Sequence, residues 1–353
     1  MIRDEHINAA VAQGILTSDQ AMRLRELARD ALAGLDGRDA IADPDDEKFR
    51  LIGGFNDVFV TIGVGLLIAA LFGLARVLEF TPGFSVLALV SAWGLSEIFS
   101  RRMRLALPSI VLAFMFAGAA ALLGGSLAGS AFAAMGMESE AAASWSFVAG
   151  CVSAALAAVL HERRFQVPID TAFAAGSAIC AALFALNAAF PSWSESLSVA
   201  LTALFGLAVF VAAQRIDATD PARVTRRSDV AFWLHMLAAP MIVRSVMPLA
   251  TGGTTEIDAL RAVFILAVFA FLGLVALVID RRALLVSGLT YAGIAIAYLL
   301  SQSVEQEGLG LSLTLLSLAA LVLALSAGWR SLRRTIVPRL PLGRWRSHIP
   351  LPT

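Results

Sequence analysis

The sequence predicts an all-α protein: a polytopic transmembrane bundle of about ten spans, with a small N-terminal cytosolic helical hairpin. Three observations predict it. Of 353 residues, 58% are hydrophobic and only 15% charged, against about 25% charged in average soluble domains. The apolar residues come in long uninterrupted runs. Residues 58–75 hold a single polar side chain, Thr61, where a surface helix of a soluble protein would carry a polar stripe. Finally, the arginines alternate from loop to loop in the manner that fixes membrane orientation.

The elements follow in order. Residues 1–50 form a cytosolic hairpin and acidic linker, 51–330 the bundle, and 331–353 a basic cytosolic tail. Within the prefix, a first helix over 4–13 is capped by Gly14. Thr17 and Gln20 form a capping box for a second helix, which sets Leu24, Leu27, Ala28, Ala31 and Leu32 on one face. Such a hairpin is too small to hold a core alone, so residues 4–33 are expected to pack on a cytosolic protein partner, a second copy or the membrane. Up to Arg50 there are eleven acids and seven bases, which argues against attraction of this segment to anionic lipid. No short apolar stretch behind basic residues opens the chain, so targeting is expected to use the first span itself.

Ten apolar runs follow, at 55–76, 82–99, 107–131, 144–161, 167–188, 196–214, 229–249, 260–279, 283–300 and 309–329. Roughly 20 residues at about 1.5 Å rise cross a hydrocarbon core of about 30 Å. With a cytoplasmic N-terminus, the inner loops carry Arg101, Arg102 and Arg104, then Arg163 and Arg164, then Arg215, Arg223, Arg226 and Arg227, then Arg281 and Arg282. The outer loops at 77–81, 132–143, 189–195, 250–259 and 301–308 contain no lysine or arginine. One span more or fewer would invert everything downstream. Both termini are therefore expected in the cytoplasm. A single lysine among 27 basic residues and abundant alanine point to a bacterial inner membrane. Arg-Arg pairs recur at 101–102, 163–164, 226–227, 281–282 and 333–334; basic anchoring of each inner loop is the favoured explanation, and a duplicated two-span unit is the alternative.

Net charge is zero, which gives no large basic surface for nucleic acid. Ionisable groups inside spans are costly and mark candidate sites. Span seven holds His235, Pro240, Arg244 and Pro248. Pro240 cannot donate to the carbonyl of Met236 and predicts a kink. Arg244 lies near the outer end, within reach of Glu79, Glu195, Glu256 or Asp258, and His235 is a candidate proton relay. Asp57 and Asp170 sit at helix starts, where the helix dipole favours a carboxylate; the alternative is a proton or cation site. Glu97 with Arg101, Glu79 with Arg76, and Asp280 beside Arg281 read as interfacial charges. Gly125 and Gly129 form a small-xxx-small packing pair. Cys151 and Cys180 fall at similar depth on consecutive spans. No catalytic residue, metal-ligand set, cofactor site or Ser/His/Asp arrangement is visible in the sequence.

The segment Gly14-Ile15-Leu16-Thr17-Ser18-Asp19-Gln20-Ala21, with a charged helix and linker and then Leu51-Ile52-Gly53-Gly54-Phe55-Asn56-Asp57, resembles a family of bacterial predicted integral membrane proteins of unknown function. The resemblance covers the amino-terminal fifth. It implies a multi-span inner-membrane protein with a cytosolic helical prefix and brings no activity. The span count and short loops favour a transporter or permease-like bundle. The alternative is a non-transporting scaffold or sensor whose hairpin binds a cytosolic partner; an intramembrane enzyme is the third reading.

Overall fold

The computed structural model describes residues 13, 17, 19–23, 55–190, 192, 195–220, 225–251, 258–302 and 307–341. The chain divides into two compact units, Met1–Lys48 with Thr353, and Phe49–Pro352. In the first, the capping box forms: the Thr17 amide donates to Gln20 Oε1 at 2.9 Å, and the Gln20 amide to Thr17 Oγ1 at 3.3 Å. A helical turn over 19–23 follows, with Ala21 buried. The first helix, the Gly14 cap, the second helix's apolar face and the linker lie outside the described residues.

Among the described residues, the second unit has ten α-helices: α1 (Phe55–Val77), α2 (Thr81–Ser96), α3 (Ala106–Ala134), α4 (Ser139–Phe165), α5 (Ile169–Ala189), α6 (Glu195–Asp217), α7 (Arg226–Thr251), α8 (Ala259–Ile279), α9 (Ala283–Ser301) and α10 (Glu307–Ile336). Each apolar run of the sequence lies on one of them. Among the described residues, nine helices are long and apolar enough to cross a membrane; α9 has 19 residues. α2 continues into a π-helical turn, Glu97–Arg102, and α10 into a 3-10 turn, Val337–Arg339.

The surface shows what solvent these helices expect. On α1, Phe55, Phe59, Ile62, Leu66 and Phe72 are exposed, and on α10 so are Leu309, Leu311, Leu315, Leu316 and Leu323. Contiguous apolar area on this scale is foreign to a water-facing protein and ordinary where lipid is the solvent, because helices satisfy their own backbone groups. The interior is lined by small residues instead: Ala92, Ala113, Ala158, Ala213, Ala231, Ala238, Ala276, Ala292 and Ala295 are all buried.

Close approach is greatest along α3 and α4. A Cβ on Gly150 would come within 2.8 Å of the Ala121 carbonyl oxygen, and one on Gly125 within 3.2 Å of that of Ser146. Gly129 meets Ser146 Oγ at 3.1 Å, so the glycine pair read from the sequence is a packing seam. α7 runs through both Pro240 and Pro248 without ending. It joins the first five helices to the last five through Trp233, which packs against the cluster of Ala113, Phe165, Val167 and Ile169.

Candidate functional site

Three helix ends meet around His161, near the C-terminus of α4. The chain leaves α4 through Gln166, in the left-handed region at φ 55°, and Pro168 starts α5 two residues on. This tight reversal sets Asp170 beside His161. The His161 Nδ1 and Asp170 Oδ2 atoms are 2.6 Å apart. On the other side of the ring, Nε2 lies 3.1 Å from the hydroxyl of Ser96, the last residue of α2 before its π turn. All three side chains have 0% exposure. π turns recur where a helix must present side chains out of normal register.

The surroundings are aromatic. Phe165 and Phe116 pack on the imidazole at ring distances of 4.6 and 5.4 Å, and Trp93 closes against both at 5.0 and 5.5 Å. A polar array in such a low-dielectric setting is strengthened where satisfied and costly where not. One atom is not satisfied: Asp170 Oδ1 is buried with no hydrogen-bond partner. The arrangement can share a proton between His161 and Asp170 while staying neutral overall.

One juxtaposition here was not visible in the sequence. The Ser/His/Asp arrangement not seen in the sequence is present as Ser96, His161 and Asp170. Its members come from three helices, with Ser96 lying 65 residues before His161, so no local spacing announces it. Asp170 lies in the first turn of α5, where the sequence places it, and from there its side chain also meets His161.

Charged groups at the same end of the bundle form a series. Glu97, at the end of α2, takes Arg164 at 2.7 Å, and also Arg101 on its own turn at 3.2 Å. Glu162, at the end of α4, takes Arg226 at 3.0 Å, and Thr171 donates to the same carboxylate at 2.9 Å. Asp217, at the end of α6, takes Arg281, whose Nε lies 3.0 Å away; a second guanidinium nitrogen bonds Asp217 Oδ1 and Ser228 Oγ. Asp280, after α8, takes Arg333 of α10 at 3.3 Å and the Trp329 indole at 2.8 Å. Each acid thus reaches the Arg-Arg pair of the next loop along the chain. The series buries as it proceeds, from 40% and 30% exposure at Arg164 and Glu97 to 0% and 1% at Arg333 and Asp280.

Asp280 is therefore not an interfacial charge as the sequence reading had it. It caps α8 at φ 57°, a left-handed position that aspartate tolerates better than most residues. The arginine pairs do more than anchor loops, since one member of each later pair is a link in this series. The signal was present in the sequence, in the acids Glu97, Glu162, Asp217 and Asp280 at the ends of alternate runs, but only pairing across loops gives it meaning.

The remaining predicted residues lie apart from the array. His235 is buried on α7, with Phe210 of α6 edge-on at 5.2 Å. Pro240 and Arg244 are exposed on the same helix, and no hydrogen bond joins Arg244 to Glu79, Glu195 or Asp258 among the described residues. Glu256 lies outside them. Asp57 is buried in the first turn of α1.

A cavity of about 670 Å³ opens between α3, α4 and α5, and reaches Leu237 of α7. Cys151 and Cys180 both line it, as free thiols, so the pair read as neighbours share one volume. Its floor includes Ala172 and Phe173, within a turn of Asp170. The hydroxyls of Ser126 and Ser146 also line it, but their protons are already given to the carbonyls of Leu123 and Ala142. They offer acceptor capacity only. Among the described residues, no group of three or more His, Cys, Asp or Glu side chains gathers to hold a metal ion.

These features define a class: a helical membrane protein of many apolar spans, with a buried polar array at the arginine-bearing end. Comparison with protein-family models, curated proteins and solved structures finds no match for this chain.

Proposed function

We propose that this protein is a carrier of the bacterial inner membrane, with both termini in the cytoplasm. Its solute volume is the cavity between α3, α4, α5 and α7, and its protonatable device is the Ser96–His161–Asp170 array. The observation that supports this best is the placement of that cavity within a turn of a fully buried His–carboxylate pair. Chains of Asp, Glu and His inside membrane bundles serve as proton relays. The cavity's largely apolar walls suit an uncharged or amphipathic solute. In this reading α7 is the moving helix: Pro240 weakens its hydrogen-bond ladder, His235 and Arg244 ride on it, and Asp57 is a second proton site on α1.

The test needs no solute. In reconstituted vesicles, an impermeant maleimide should react with Cys151 or Cys180 at a rate that changes several-fold when a pH gradient is imposed. Asp170→Asn should abolish that response while leaving the basal rate. A rate indifferent to the gradient would remove the carrier reading.

The assignment of the two ring nitrogens, one to Ser96 and one to Asp170, also favours a second reading, nucleophilic catalysis by Ser96. Labelling of the protein by a fluorophosphonate, lost in Ser96→Ala, would put this reading first. Complete burial of Ser96 predicts that no labelling occurs.

A further inference from the structure

The end of α6 and the start of α7 enclose a second cavity of about 460 Å³, lined by Arg215, Ile216, Thr219, Arg226, Arg227 and Val230. Three guanidinium groups gathered on one small volume repel one another unless an anion sits between them. Among the described residues, the acids nearby supply it only in part. Glu162 engages Arg226 through Nη2 alone, and Arg226 Nε is buried without a hydrogen-bond partner. Asp220 is taken by the amide and hydroxyl of Thr225, and Asp217 by Arg281. Asp229, on the first turn of α7, acts on Arg226 through space but does not line the cavity, and Arg215 and Arg227 face it with no acid among its lining residues.

The surrounding chemistry narrows the anion. The N-terminus of α7 adds the positive end of its dipole. A guanidinium fork matches a phosphate oxygen pair better than a halide. Ile216 and Val230 give the volume an apolar wall, and its helices end where a membrane's headgroups would lie. We infer that this cavity binds a phosphate group, and that the phosphate is the headgroup of an anionic phospholipid. Basic pockets between transmembrane helices at the headgroup level take such ligands. This assignment stands whether or not the protein is a carrier.

The test uses the full chain purified in mild detergent. Native mass spectrometry should retain one phosphatidylglycerol in preference to phosphatidylcholine, by about tenfold or more, the size expected of a charge-assisted hydrogen bond. Arg215→Gln with Arg227→Gln should erase that preference. Both side chains are exposed, so an unchanged gel-filtration profile separates lost binding from lost fold. In the second arm, inorganic phosphate is compared with chloride at equal ionic strength on delipidated protein. Protection against heating by phosphate, abolished in the double variant, would place the ligand in solution rather than in the bilayer and overturn the lipid assignment. Equal retention of both lipids, or retention unaltered by the substitutions, overturns the site.

Discussion

At the scale of single residues, the array around His161 sets a clear order of costs. In Asp170→Asn the amide oxygen can still accept from Nδ1, so the loss should be about 1–3 kcal/mol, that of a weakened buried hydrogen bond. In His161→Leu, Ser96 and Asp170 are both left without their partner in an aromatic enclosure, and the loss should approach about 3–5 kcal/mol, that of an uncompensated buried charge. Unfolding midpoints in detergent should rank wild type above Asp170→Asn above His161→Leu. Equal midpoints for the two variants would mean that Asp170 is neutral and the pair carries little charge. Asp170 was legible in the sequence as an acid inside a span. Its partners were not, because Ser96 is an unremarkable hydroxyl at a helix end and His161 stood at a predicted span boundary, where imidazoles need no explanation.

At the scale of elements, α3 and α4 depend on having nothing between them. Gly150→Leu would drive a side chain into the Ala121 carbonyl, a backbone group that cannot rotate away. Overpacking of this kind costs about 1–3 kcal/mol, and should lower both the folded yield and the melting midpoint. Gly118 lies on the same helix as Ala121 but has open space where a Cβ would go, so Gly118→Ala should leave both unchanged. All ten helices were readable from hydropathy, since lipid demands length and apolarity and little else. Which helices touch was not. A lipid-facing leucine and a core leucine look alike in sequence, and only the glycine pair on α3 pointed inward.

At the scale of the whole molecule, the acid–arginine series grades from wet to dry, and its energetics should grade with it. Arg333→Met removes a cationic partner from the buried Asp280, which keeps its Trp329 bond, and should cost about 3–5 kcal/mol. Replacing Asp280 and Arg333 together by apolar residues should recover much of that loss. Arg164→Ala touches an exposed pair and should leave the midpoint within error. A double-mutant cycle on Asp280 and Arg333 measures the coupling directly, and a coupling indistinguishable from zero would show that burial there has no electrostatic role. Alternating loop charge underlies the proposed orientation, but it could not show that these arginines pair with acids, because positive-inside patterning looks the same whether a guanidinium faces lipid or a carboxylate.

The direction of that series has a consequence for biogenesis. In each of the four links described, the carboxylate lies upstream and its guanidinium downstream. As a nascent chain leaves the ribosome, each newly inserted hairpin would therefore bring the cation that its predecessor lacks, and would expose one fresh anion in turn. Assembly would then close in the order of synthesis, with Arg333 supplying the last clasp. A chain truncated before α10 would lack the Arg333 and Trp329 contacts of the buried Asp280, which is the kind of defect that membrane quality control is built to find.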